Sequence, residues 1–253
     1  MSNMRIPIRI GLTLLVALAA TSVRAANPDA LWQIVHDRCV PDQQANSAPA
    51  PCALVDLSGG YAVLKDIDGA TQFLLIPTAK VTGIEDRAVL APAAPNYFAT
   101  AWQARGMVEQ RAGQTLPRDD IGLAINSVYG RSQNQFHIHI DCLRPDVVAT
   151  VRMYRAAVGA TWAPFPVKLL DHPYLARRVV SDNLADTKPF RLLADSVPVA
   201  PAEMGNWTLV AVPTSFDGTP GFVLLADRVN LAIMDRAEGE ELQDHACAIK
   251  SSG

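Results

Sequence analysis

Residues 134–145, NQFHIHIDCLRP, constrain the fold more than any other stretch of this 253-residue chain. From Gln135 to Asp141, polar and apolar residues alternate without a break. A period of two marks a β-strand, because successive side chains project to opposite faces of a sheet. Gln135, His137, His139 and Asp141 therefore share one face, and Phe136, Ile138 and Ile140 share the other, where they can pack on a helix. Side chains two positions apart stand roughly 6.8 Å apart along such a strand. The chain holds five histidines, and two of them lie on this polar row. The row can bind a metal, supply a nucleophile with its helper, or simply pack.

The neighbouring segments supply a sheet for this strand. GGYAVLKDIDGATQFLLIPT reads as a hairpin with strands Tyr61–Lys65 and Gln72–Pro77, and Asp68-Gly69 is a favoured turn pair. Asn96 can cap a helix running to Arg111, with Tyr97, Ala101, Ala104 and Val108 on one face and Gly113 at its end. Ile121–Ser127 is a further strand, and the loop VYGRSQN joins it to the histidine strand. Ahead of all of these, Leu31, Ile34 and Val35 fall at helical spacing. The order strand, strand, helix, strand, strand predicts an α+β fold with an antiparallel sheet. In the second half, DVVATVRMYRAAVG reads as a helix and HPYLARRVV as a strand. NWTLVAVPT and GFVLLADRV read as a strand pair around Asp217-Gly218. The stretch FVLLADR loosely echoes FLLIPTAK. Residues 149–253 are accordingly expected to be a degenerate copy of residues 27–148.

Composition limits the partners. With 22 basic against 25 acidic residues there is no basic field for nucleic acid, and no like-charge run marks a tail. A small molecule or a lipid is the expected partner. Residues 1–26 differ in kind: Arg5 and Arg9 precede the uncharged run Ile10–Val23, and small residues follow it. This reads as a signal peptide, or as a retained anchor, with the remaining chain exported. Cys39, Cys52, Cys142 and Cys247 include no CxxC pair, which in an oxidising compartment implies two disulfides. Of the three possible pairings, Cys39–Cys52 with Cys142–Cys247 is the expected one. The first would close a short Pro- and Gln-containing loop, worth roughly 3 kcal/mol in the chain-entropy model.

HIHID matches the start of the H-x-H-x-D metal motif of metallo-β-lactamase-like hydrolases, but Cys142 stands where a further histidine follows in that motif. Only His36, His172 and His245 remain as outside imidazole ligands. A closer likeness lies upstream. The segment INSVYGRSQNQFHIHI resembles the active-site segment of the histidine-triad (HIT) superfamily, with signature H-φ-H-φ-H-φ-φ (φ apolar) after an Asn, a Gly and a Ser-bearing loop. Asn126, Gly130 and Ser132 supply those elements, and Gln135, His137 and His139 fill the triad, with Gln135 in the first histidine's place. QFLLIPTAKVTGIED looks like the family's preceding strand, Thr78 and Lys80 occupying its Lys and His positions.

GYAVLKD, AWQAR, LAINS, GRSQNQFHIHIDCLRPDV, YLARRV, FVLLA and DHACAI also resemble a bacterial, membrane-associated branch of that superfamily, the CDP-diacylglycerol pyrophosphatases. The resemblance implies a HIT-like antiparallel sheet and hydrolysis of the lipid-nucleotide CDP-diacylglycerol to CMP and phosphatidate. It implies His137 as the nucleophile that carries CMP covalently, with His139 and Gln135 completing the catalytic group. Asn126, Gly130, Ser132 and Gln133 would hold the phosphate and ribose. Arg144, His172, Tyr174 and Arg177 are candidates for the lipid side. No metal, cofactor or obligate protein partner is expected. The expected location is the inner membrane with the catalytic part in the periplasm, or the periplasm itself after cleavage. Two other readings are a metal-dependent hydrolase using His137, His139 and Asp141, and an exported nucleotide- or lipid-binding protein.

Overall fold

The computed structural model describes residues 27–197 and 201–251; the expected signal or anchor segment, residues 1–26, lies outside the described residues. The strands are β1 (Leu54–Asp56), β2 (Tyr61–Lys65), β3 (Phe73–Pro77), β4 (Ile121–Ile125) and β5 (Ile138–Cys142). They continue with β6 (Ala163–Pro164), β7 (Leu175–Val180), β8 (Trp207–Phe216) and β9 (Thr219–Arg228). All join one sheet in the order β1-β2-β3-β5-β4-β8-β9-β7-β6, and each neighbouring pair is antiparallel. The expected α+β class with an antiparallel sheet is thus observed.

Helices cover both faces. On one side lie α3 (Tyr97–Ala104), α4 (Gly106–Ala112) and α6 (Pro189–Ser196). Their Phe98, Trp102, Val108, Phe190 and Leu193 pack on Leu75, Leu123, Phe136, Ile138, Ile140 and Leu224. The apolar row of the histidine strand therefore faces helices, as its alternation requires. On the opposite side, α1 (Ala30–Ile34) and α2 (Val40–Asn46), joined by a wider π-type stretch over Val35–Cys39, cover β2 and β3. Leu31, Val35 and Cys39 recur every fourth residue and pack with Ala62, Leu64, Leu74 and Ile76. On the same side α5 (Pro145–Tyr154) covers the far end of the sheet through Val147, Val148 and Val151. A gap remains between α1–α2 and α5, and the polar row of β5 lies under it.

Both expected disulfides are present. Cys39–Cys52 ties the N-terminal helical segment to the approach to β1, and Cys142–Cys247 ties β5 to the C-terminal segment, with Cα separations of 5.6 and 5.2 Å. The expected helix from Asn96 to Arg111 is divided at Arg105. The Arg105 guanidinium turns back to donate to the Trp102 carbonyl and stacks on that indole, 4.3 Å from its centroid. The predicted ends hold: Asn96 accepts from the Ala99 N–H, and Gly113 takes the left-handed conformation (φ 74°) that closes helices. Asp217-Gly218 forms the turn between β8 and β9 with φ of 50° and 79°, the positive pair a two-residue hairpin favours. In the first hairpin residues 66–72 form a longer loop. There Gly69 (φ 70°) lets the chain pass so close to His245 that a Cβ would lie 2.8 Å from the histidine Cβ. The short strands β1 and β6 and the helix α6 carry no periodicity that the sequence reading detected.

Among the described residues, no helix is long and apolar enough to cross a membrane.

Candidate active site

The gap over β5 is a cavity of about 500 Å³. One wall is apolar, built from Ala30, Leu31 and Ile34 of α1 with Leu64 and Leu74 of the first hairpin. The opposite wall is polar and holds Asn126, Ser132, Gln133, His137, His139 and Glu240. Lys65, Asp66 and His245 stand at its edge, beside the hairpin loop. The alternation places His137 and His139 side by side, their rings 4.8 Å apart.

The hydrogen bonds of His137 define its chemistry. Its Nδ1 lies 2.7 Å from the Gln135 carbonyl oxygen. A carbonyl can only accept, so Nδ1 carries the proton and Nε2 keeps its lone pair. Burial, reinforced by the neighbouring His139, pushes the His137 pKa down to about 4. The ring is therefore a neutral base at physiological pH, as a nitrogen nucleophile must be.

His139 is held differently. Its Nδ1 lies 2.9 Å from Glu240 Oε2 and also meets the Gln72 amide. Its Nε2 is buried and has no hydrogen-bond partner among the described residues. Burial alone would raise the Glu240 carboxyl. The charge and hydrogen bond of His139 override that, aided by His137 and Asn126, and hold it at about 2. Glu240 is thus a fixed carboxylate that steadies an N–H on His139 and aims its other nitrogen away.

Asp141, the last member of the polar row, is fully buried. One carboxylate oxygen accepts from the Thr71 hydroxyl at 2.6 Å and from the Cys142 N–H. The other lies 3.0 Å from His245 Nδ1. The bond to Asp141 raises the His245 pKa, against its partial burial. His245 is half-exposed and opens on the cavity, so an imidazole oriented by Asp141 stands near the histidine pair. With its carboxylate so engaged, Asp141 does not converge with His137 and His139 as a ligand set. Among the described residues, the one cluster with metal-ligand spacing lies elsewhere.

The loop before the triad is shaped by many backbone contacts. Asn126 accepts from the Glu240 N–H, and Ser127 donates to the Arg236 carbonyl. Gly130 lies against Ala237 and Glu238, where a Cβ would meet the Glu238 side chain at 2.7 Å. Gln133 accepts from the Leu31 N–H and donates to the Asn27 carbonyl, so it also anchors α1. Arg131 makes a paired bridge to Glu85, both contacts 2.6 Å, and is nearly buried behind His137.

Other expected site residues stand apart. Gln135 is fully buried; its amide donates to the Pro77 and Ala79 carbonyls and accepts from the Val81 N–H. It binds three backbone groups from the end of β3 and the loop after it, and lies outside the cavity wall, because an amide offers that loop two donors and an acceptor that an imidazole cannot match. Arg144 folds onto Asp146 at the start of α5. His172 and Tyr174 both bond to Glu241 Oε1, at 2.7 and 2.9 Å. Arg177 reaches Ser196. None of these four lines the cavity: β7 lies four strands from β5 in the sheet, which the sequence order does not reveal. Conversely, the sequence reading missed Glu240, Gln72 and the Asp141–His245 pair as members of one site. Gln72 alone had a signal, as a polar residue at the mouth of an apolar strand.

The family profile described as CDP-diacylglycerol pyrophosphatase matches residues 26–251. A Yersinia pestis protein named CDP-diacylglycerol pyrophosphatase is 44% identical over 243 residues, covering 94% of this chain and 92% of its own. With that profile matched over nearly its whole described length, and a neutral imidazole poised beside a carboxylate-held one, the chain belongs to the CDP-diacylglycerol pyrophosphatase family of hydrolases.

Proposed function

We propose that the protein hydrolyses the pyrophosphate of CDP-diacylglycerol to CMP and phosphatidate through a covalent intermediate on His137. The observation that carries this reading is the proton on His137 Nδ1, fixed by the Gln135 carbonyl, which leaves Nε2 free beside His139. In the first step the Nε2 lone pair attacks the phosphorus bearing cytidine, and the bond from that phosphorus to the bridging oxygen breaks. Phosphatidate departs, taking a proton from His139 or His245. In the second step a water attacks the same phosphorus and gives its proton back to that group. The N–P bond breaks, CMP leaves, and His137 is restored. Gln135, with its amide committed to backbone, cannot move a proton, so acid catalysis falls to the two histidines.

The cavity suits the polar end of this substrate. Its apolar wall from α1 and the first hairpin can cover the cytosine ring, and Asp66 at the edge can accept from ribose hydroxyls. Ser132 and the loop N–H groups can stabilise phosphoryl oxygens. Two long acyl chains exceed the cavity and are left outside, where the 95%-exposed Ile67 marks the rim. The reaction needs no metal ion, and the exported chain works at the inner-membrane surface on the periplasmic side. The direct test is a rapid-quench sample of working enzyme given CDP-diacylglycerol labelled in the phosphate next to cytidine. Label should appear on His137 and vanish in His137→Ala; turnover without any labelled protein would end the proposal.

The fold is proposed to be HIT-like and internally duplicated, with residues 149–253 a degenerate copy of residues 27–148. In support, β3, α3–α4, β4 and β5 follow the same order as β7, α6, β8 and β9, and the sheet order β3-β5-β4-β8-β9-β7 reads alike from either end. With a two-fold axis through the Ala124–Val210 pair, the counterpart of His139 is Leu225, so the copy carries no imidazole there. A crystal structure in which the two sets of elements fail to overlay would refute the duplication.

A further inference from the structure

Beyond β9 three more ionisable groups converge, and none of them lines the catalytic cavity. Asp227 lies near the end of β9, Asp235 in the loop that follows, and His172 just before β7. Each aspartate commits one oxygen to its own loop: Asp227 Oδ1 accepts from the Arg228 N–H at 2.7 Å, and Asp235 Oδ1 from the Ala237 N–H at 2.8 Å. The second oxygen of each is buried and lacks a hydrogen-bond partner. The two residues are only 4% and 1% exposed. His172 Nδ1, which bonds Glu241, lies 3.9 Å from Asp235 Oδ1, and one donor atom from each of the three lies within 4.8 Å of the other two. A groove of about 300 Å³, lined by Tyr174, Trp207, Asp227 and Asp235, opens beside them.

Two buried carboxylates in contact are costly unless something neutralises them. His172 stands beside them, but its Nδ1 is already 2.7 Å from Glu241. Either a proton or an ion must therefore sit between the aspartates. A shared proton would serve only the two oxygens. A metal ion would serve both oxygens and an imidazole nitrogen together, and a carboxylate–imidazole donor set suits zinc and its neighbours.

We propose that His172, Asp227 and Asp235 form a binding site for a divalent transition-metal ion of the zinc class, separate from the catalytic cavity. The ion would clamp the loop between β9 and Glu240–Glu241 to the start of β7. This reading is independent of the role given to His137.

The test uses the full chain. Protein stripped with a chelator, given zinc chloride and freed of excess by dialysis should retain one equivalent of zinc by elemental analysis. Its thermal midpoint should rise on reloading. Asp235→Asn should lose that equivalent, and so should His172→Gln, which alters a residue at the site's margin and tolerates substitution better. His137→Ala should keep it. Wild-type protein that retains no zinc, and thus holds only a proton between the aspartates, overturns the proposal. Zinc kept by both site variants, or lost in His137→Ala, overturns it equally.

Discussion

At the scale of single residues, three side chains around β5 would divide the proposed work, and each predicts a measurement. His137 is a neutral base down to pH about 4, so the acid limb of kcat/KM that it sets should lie near 4, well below the ordinary imidazole range. The same shift links to folding. The unfolded chain binds the His137 proton from pH 6.5 downward, and the folded chain only near 4. The His137 contribution to stability should therefore be level above 6.5 and fall by up to ~3 kcal/mol as pH drops toward 4. Urea titrations of wild type and His137→Ala at pH 7 and 4.5 check this, since the variant should lose less over that interval. Glu240 fixes the ring of His139 without touching the reacting phosphorus, so it is a positioning residue. Glu240→Gln should lower kcat roughly a hundredfold while KM changes little; an unchanged kcat would remove Glu240 from the mechanism. His245 keeps its proton to a higher pH because of Asp141. His245→Gln should flatten the alkaline limb of the rate profile.

At the scale of elements, local rules account for most of the fold. Alternation gave the faces of β5, turn pairs located both hairpins, and Asn96 and Gly113 marked the ends of the α3–α4 unit. Asn96 does more than cap: its amide also donates to the Leu184, Ala185 and Thr187 carbonyls, joining α3 to the loop before α6. Asn96→Ala should therefore cost more than the ~1 kcal/mol of an ordinary cap, measurable as a lower denaturant midpoint. Gln135 shows where local reading fails. Alternation read it onto one strand with His137 and His139, but β5 begins only at Ile138, and the partners of Gln135 are backbone groups at and just past the end of β3, some fifty residues away in the chain. Gln135→His should destabilise the fold, because an imidazole leaves at least one buried backbone group unpaired. Glu240 was illegible as a site residue for the same reason, since nothing in GEEL announces that the chain returns to β5 there. For His245 the expected Cys142–Cys247 link did bring DHAC beside β5, but not its bond to Asp141.

At the scale of the molecule, the sheet is one continuous layer whose two middle strands, β4 and β8, join its halves. Its edges are the three-residue β1 and the two-residue β6, too short to template pairing with another chain. Specific activity should accordingly stay constant on dilution through the nanomolar range; a fall would point to a required oligomer. The Cys142–Cys247 bridge closes a loop of 105 residues, and in the chain-entropy model such a link is worth roughly 4.7 kcal/mol. Its position matters more than its energy. Cys142 directly follows Asp141, and Cys247 lies two residues beyond His245, in the segment that also carries Glu240. Two of the groups around the histidine pair are thus fastened in place by a bond that only an oxidising environment makes. If the chain is exported and acts on CDP-diacylglycerol as proposed, a copy still among cytoplasmic thiols would hold its acid and its carboxylate unsecured. Formation of the bridge would then act as a safety catch, and mild reductant should silence CMP release before far-UV circular dichroism records any loss of helix or sheet.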